Sequence, residues 1–363
     1  MMSPWIACAL GAASFLALLL LLFFVLHIVA NGFLSGSGKG LLKNAKRLRR
    51  KGRRPRKFTL KEIHMYSEEF SNKIGNGSTN TVFKGNLPDG TEVAIKRPNA
   101  ESMCSLYVAA RTEIQIELLS RIRHQNLVNL VGHSDEAGCQ VLLFQYASNG
   151  TLYENLHGLS LEVSGNEHLT WKQRTKIIGG IAYGLHYLHS CVPPVIHGDL
   201  CSQIVLLTED YAAKIGGIGK SLPGPASAEK EKRDSTTQAE GMEKGEYSSA
   251  RDVYAFGILI IEIVSGKMIT SADGACILDQ WTRDISPSQE KMLDFIDPSM
   301  HDVPIPELAA AREIVRLCLR SEPHRPTMAD IVELVLKDLK ITIEAAAPLT
   351  SPVTLRGLLE LLV

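Results

Sequence analysis

Residues 193–219 read PPVIHGDLCSQIVLLTEDYAAKIGGIG, and no other stretch constrains the chain as much. A polar loop carries His197, Gly198 and Asp199. A short strand pair follows, turning at Glu209 and Asp210, and a glycine loop of Gly217, Ile218 and Gly219 closes the unit. Glu209 and Asp210 fall between the strands and are expected to point away from the two loops. The segments on either side decide what body carries this unit.

The chain of 363 residues is long enough for one anchored domain of roughly 250–280 residues, or for two smaller ones. Its formal net charge of 0 conceals an asymmetry, because no acid precedes Glu62 and ten of the fifteen residues 43–57 are Lys or Arg. The remainder is acidic on balance. A basic neck on an acidic body argues against a nucleic-acid-binding domain. Cys8, Cys104, Cys139, Cys191, Cys201, Cys276 and Cys318 are scattered, with no C-x-x-C and no zinc-like spacing. That pattern reads as free thiols in a reducing compartment.

Residues 5–30 carry no formal charge. As a helix they would span about 39 Å, enough to cross a hydrocarbon core of roughly 30 Å with some tilt. A cleaved signal peptide is the competing reading. It would have a shorter apolar region, about 7–15 residues, behind a positive segment, and residues 1–4 hold no basic side chain. An uncleaved anchor is therefore expected. The basic residues 43–57 keep the following body on the cytosolic side, beside anionic headgroups. The domain plan is then a short extracytosolic end (1–4), a transmembrane helix (5–30), a basic juxtamembrane linker (31–59), a folded domain (60–340) and a tail (341–363). The tail has no identifiable counterpart, and its apolar end could dock.

An amphipathic stretch runs from Phe58 to Phe70. The glycine-rich turn IGNGSTNTV at 74–82 comes next, then an Asp89-Gly90 turn with alternating residues on both sides, which reads as a β-hairpin ending in Val93-Ala94-Ile95-Lys96. Trp171, Ile178, Ile181, Ala182, Leu185 and Leu188 recur at helical spacing. Residues 253–264 are apolar almost all round, as in a helix buried at the centre of a lobe. Residues 329–340 read as a final amphipathic helix.

These pieces, in this order, resemble a eukaryotic protein kinase: G-x-G, V-A-I-K, a helix running into LLSRIRHQNLV, and H-x-D. The finer motifs FTLKEI, NLVNLVGH, ASNGTLYENLHG, LTWKQRTKIIGGIAYGLHYLHS, DVYAFGILIIEIVSGK and RPTM resemble the plant receptor-like kinases. The resemblance covers about residues 60–340. It implies an α+β, bilobal protein-kinase-like fold with a small β-rich N-lobe at 60–146, one helix near 107–121, a hinge at 144–147 and a mainly helical C-lobe at 147–340.

The resemblance also assigns site positions. Ile74, Gly75, Gly77, Val82 and Lys96 fall at nucleotide-binding positions, and Asp199 at the base position. Asn80 replaces the third glycine of the turn. Gln115 falls where a helix Glu would pair with Lys96, although a two-residue shift would bring Glu113 there. Gly198 replaces an Arg, and Cys201 a phosphate-contacting Lys. Ile204 replaces the Asn that holds one Mg²⁺, and Gly217 the Asp that bridges both. Glu240, twelve residues before Asp252, has the spacing of a structural Glu that pairs with Arg325. Residues 220–251 are polar, and Ser235, Thr236 and Thr237 are candidate acceptors for another kinase.

Losing one preorganised electrostatic group costs about 10²–10³ in rate. With two metal ligands and the loop Lys absent, a pseudokinase is expected. It would be anchored in the membrane, with the plasma membrane as the expected site. It would act as an interaction or allosteric module for other receptor-like kinases or signalling proteins. No metal and no required cofactor are expected, only weak, magnesium-independent ATP binding. The alternative is an active, atypical Ser/Thr kinase or another ATP-using transferase relying on Lys96 and Asp199.

Overall fold

The structure is a computed structural model that describes residues 55–77, 79–99, 106–136, 140–158, 168–219, 248–269, 278–279, 281, 294 and 296–349, with side chains in 106–119 from Thr112 onward. The expected membrane span, most of the basic run, residues 220–247 with Glu240, and residues 350–363 lie outside these. Among the described residues, no helix is long and apolar enough to cross a membrane.

The N-lobe is a six-stranded sheet in the order β1-β5-β6-β4-β3-β2. Its strands are β1 (Arg56–Lys57), β2 (Lys73–Asn76), β3 (Asn80–Asn86), β4 (Glu92–Pro98), β5 (Leu130–Ser134) and β6 (Val141–Gln145). The β3–β4 hairpin turns at Asp89-Gly90 as the alternation predicts. Gly90 has φ 81°, and Asp89 Oδ1 accepts from Thr91 N at 2.9 Å, local chemistry that favours a tight turn. The helix α1 (Leu60–Tyr66) starts at a capping box: Glu62 N donates to Thr59 Oγ1 at 3.2 Å and Thr59 N to Glu62 Oε2 at 2.8 Å. Phe58, Ile63, Tyr66, Val93, Ile95, Val141 and Leu143 form the core of this lobe.

The sheet takes in two residues that precede position 60. Arg56 and Lys57 pair in parallel with Gly132 and His133 of β5, so the last residues assigned to the basic linker belong to the sheet. Lys57 Nζ meets Asp135 at 2.8 Å, and the Arg56 guanidinium lies over the Phe58 ring. Gly132 makes room for this pairing, because a Cβ there would lie 2.4 Å from Arg56 O and 2.4 Å from the Phe58 ring.

The helix α2 (Leu106–Leu119) precedes β5, and α3 (Leu152–His157) follows the hinge. The C-lobe is built on α4 (Trp171–Ser190) and α5 (Ser249–Ser265). The residues expected on the apolar face of α4 are all buried. The helix α5 is buried through Val253, Phe256, Leu259, Ile260, Ile261, Ile263 and Val264, and ends at Gly266 with φ 64°. Gly257 lets α6 (Ile305–Cys318) approach, since a Cβ there would sit 2.7 Å from Cys318 Cβ. Arg174 is buried in this core and is satisfied by Leu169 O, Ile263 O and the Asp297 carboxylate, as a buried cation requires.

The strands β7 (Val205–Leu207) and β8 (Ala213–Ile215) form the expected short pair. The helix α7 (Met328–Lys337) is not the last element: a turn of helix, α8 (Ile343–Ala346), follows, and Ala346 and Ala347 are buried. Residues past 340 therefore pack on the C-lobe, as far as Leu349, whose N donates to Asp210.

Candidate functional site

The loop at 197–199 hangs from one carboxylate. Asp252 on α5 is buried and accepts from His197 N at 2.8 Å, Gly198 N at 2.7 Å and His189 Nε2 at 2.9 Å. Three donors make burial of that charge tolerable. His197 is fully buried. Its Nε2 faces Gly216 O at 2.8 Å, and its Nδ1 faces Asp199 N at 3.3 Å. A carbonyl accepts and an amide donates, a pairing that the Nε2–H tautomer satisfies. Gly198 sits at φ 74°, where a side chain would cost about 1–2 kcal/mol. Glycine there removes a cation and also that strain.

The glycine loop packs against apolar side chains. Gly217 has φ 69°, and a Cβ on it would meet Ile204 Cδ1 at 3.5 Å, Ile204 Cγ2 at 3.7 Å and His197 Cε1 at 3.8 Å. Gly216 N donates to Ile204 O at 2.9 Å, and Ile204 N to Cys201 O at 3.2 Å. Ile218 is buried. Ile204 and Gly217 thus lie close together, and the side-chain atoms that face Gly217 are carbons of Ile204 and His197. Among the described residues, no group of three or more His, Cys, Asp or Glu is placed to hold a metal ion.

Gln115 on α2 reaches this loop. Its Nε2 donates to Ile218 O at 2.8 Å, while Glu113 is exposed and Glu117 pairs with Arg121. The side chain turned toward the loop is therefore Gln115. Lys96 lies on β4, across from Val82 on one side and Leu142 on the other.

The glycine-rich turn joins β2 to β3, with Gly75 opposite Val82 beside a register shift. Ile74 is 42% exposed on that strand. Gly77 N donates to Asn80 O at 2.8 Å, and Asn80 Nδ2 to Thr79 Oγ1 at 2.7 Å. Asn99, just past β4, ties the turn down: its Nδ2 donates to Gly77 O at 3.1 Å, and its Oδ1 accepts from Thr81 Oγ1 at 2.7 Å. The sequence reading missed Asn99, since nothing in its local pattern marks it.

The remaining expected residues are dispersed. Asp210 points away from the loops, as expected, and pairs with Lys176 at 2.8 Å. Burial alone would raise its carboxyl, but hydrogen bonds from Lys176 and Thr208 hold it below the usual range. Arg325 donates to Ala250 O at 2.8 Å and Arg320 O at 3.1 Å; its expected partner Glu240 lies outside the described residues. Lys214 on β8 was also missed. It is buried, with Nζ donating to Gln125 O at 2.9 Å beside Gln145 of β6, and burial pushes its amine down to about 8. His124 is driven to about 4 by burial and by the nearby Lys214 charge.

A twisted sheet carrying a glycine-rich turn, a helical body, and a paired loop unit hung from a buried Asp define a protein-kinase fold. The chain matches the family described as protein tyrosine and serine/threonine kinase over residues 69–335, and it belongs to that family. It is 34% identical over 303 residues to Protein MALE DISCOVERER 2 of Arabidopsis thaliana, a match spanning 82% of this chain and 43% of that protein. An inactive receptor-like serine/threonine-protein kinase of the same plant is 31% identical over 300 residues, 80% of this chain and 58% of the relative. The chain thus spans about half the length of the curated relatives it matches, 43% and 58% in these two cases.

Among solved structures, an apo pseudokinase superposes with a TM-score of 0.64 at 26% identity, covering 80% of this chain and 99% of that one. The pseudokinase DRIK1, a drought responsive inactive kinase co-crystallised with ENMD-2076, gives 0.64 at 26% identity, covering 79% and 98%. The homologues are plant receptor-like kinases, inactive ones among them, and the structural neighbours are pseudokinases.

Proposed function

We propose that this chain is a membrane-anchored pseudokinase that serves signalling as an interaction or allosteric module for receptor-like kinases, without transferring phosphate. The single observation that carries the reading is the contact of Ile204 with the loop at Gly217. The two positions at which the family holds divalent metal are here an alkyl group and a hydrogen atom. A hard cation such as Mg²⁺ takes oxygen ligands and keeps several waters, and neither Ile204 nor Gly217 offers it a side-chain oxygen. The residues do not fit the metal, so no phosphoryl-transfer step is assigned to them.

Lys96 stays on β4, and the proposal allows it weak contact with a nucleotide that arrives without Mg²⁺. Asp199 is then a remnant of the base position. The inactive relative and the two pseudokinase neighbours support the same reading. The anchor rests on residues 5–30 and the basic run behind them. The test is phosphotransfer by the full-length chain with Mg²⁺ or Mn²⁺ and generic protein substrates. The expected result is no turnover above background. Transfer that disappears on Asp199→Asn or Lys96→Met would overturn the proposal in favour of an active kinase.

A further inference from the structure

Residues 341–349 are gripped through their backbone. Tyr183 Oη donates to Ile341 O at 2.6 Å, Gln125 Nε2 to Ile343 O at 3.2 Å and Asn126 Nδ2 to Ala346 O at 2.9 Å. Leu349 N in turn donates to Asp210 Oδ2 at 3.0 Å. The segment crosses α4 at Gly179, where a Cβ would lie 2.4 Å from Ile341 Cγ2 and 3.4 Å from Ala346 Cβ. Helix glycine is unfavourable by about 1 kcal/mol relative to alanine; here it clears a seat. Ala346 and Ala347 are buried in that seat.

Asn126 connects the seat to the paired loops. Its Nδ2 also donates to Ala213 O on β8 at 3.0 Å, and its backbone carbonyl accepts from Ile215 N at 2.8 Å. Three residues past Ile215, Ile218 O accepts from Gln115 on α2. Residues 120–129 themselves follow α2 directly, and Lys214 Nζ holds Gln125 O from the other side. One short segment therefore touches the loop that follows α2 and the turn between β7 and β8, and it reaches the strand that leads to Gly217 through Asn126.

We propose that residues 341–349 are a latch. Docked, they press the 120–129 loop onto β8 and so fix how α2 is seated on the 217–219 loop. Released, they leave Asn126 with one backbone partner fewer, and both contacts loosen together. The seat accepts small side chains at positions 346 and 347 and rejects bulk or charge there. The latch stands apart from the pseudokinase reading, because it holds whether or not the cleft takes a nucleotide.

The test is hydrogen–deuterium exchange on the full-length chain, comparing wild type with Ala346→Asp and Gly179→Val, which eject the segment from opposite sides. Both variants should speed exchange about tenfold at amides 343–347 and 349, and also at 122–129 and 215–219, with α5 unchanged. If the segment opens while 122–129 and 215–219 keep their protection, it is a passive cover and the latch is wrong. The same holds if neither variant frees it. Should Gly179→Val lose the α5 protection, Ala346→Asp alone decides, because its change lies on the departing segment.

Discussion

At Gln115 one amide decides how a helix meets a loop. Its Nε2 donates to Ile218 O at 2.8 Å, and a carboxylate in its place would bring an acceptor against an acceptor. Gln115→Glu is expected to destabilise the chain by about 1–3 kcal/mol, the cost of an unsatisfied, partly buried polar contact, seen as a lower urea midpoint with an unchanged slope. The position of Gln115 was legible from the motifs around it, but its partner was not, because Ile218 is 103 residues away. Ile204 and Gly217 were legible for a different reason. Ordered motifs on both sides set their register, and the structure places the two side by side. Asn99 left no trace in the sequence, since its contacts with Gly77 and Thr81 exist only once the hairpin has closed.

At the scale of elements, local signals were sufficient for the hairpin, α1 and α4, each set by a turn, a capping box or an apolar face within the element. The strand β1 could not be seen this way. Its two residues are the end of a basic run, and they become a strand only because Gly132 leaves space for Arg56 and Phe58. Gly132→Val should expel β1 and uncover Phe58. Burying a Phe side chain contributes about 1.5–3 kcal/mol, so stability should fall by that order. Trypsin should cut after Arg56 and Lys57 faster than in wild type; unchanged cleavage would mean that β1 does not depend on this glycine. The docked residues 341–349 were hidden for the same reason, because their seat is made by Gly179 and Asn126 from distant parts of the chain.

Across the whole molecule, the buried Lys214 links folding to pH. Its amine is lowered to about 8 in the folded chain, against about 10.4 when unfolded. Between those values the unfolded chain binds more protons, so stability should rise with pH from about 8 to about 10.4. Denaturant unfolding across that range should show the rise in wild type, and Lys214→Met should flatten it. An equal slope in the variant would assign the effect to other groups. In the function proposed above, the molecule keeps the kinase frame while its former metal corner no longer takes the ion. Thermal unfolding of the full-length chain with ATP, with and without Mg²⁺, tests it most directly, set beside the double variant Ile204→Asn with Gly217→Asp. The account predicts no Mg²⁺-dependent rise in Tm for wild type and a clear one for the double variant, since a ligand bound only by the folded state raises its stability. A Mg²⁺-dependent rise in wild type that the double variant does not exceed would contradict it.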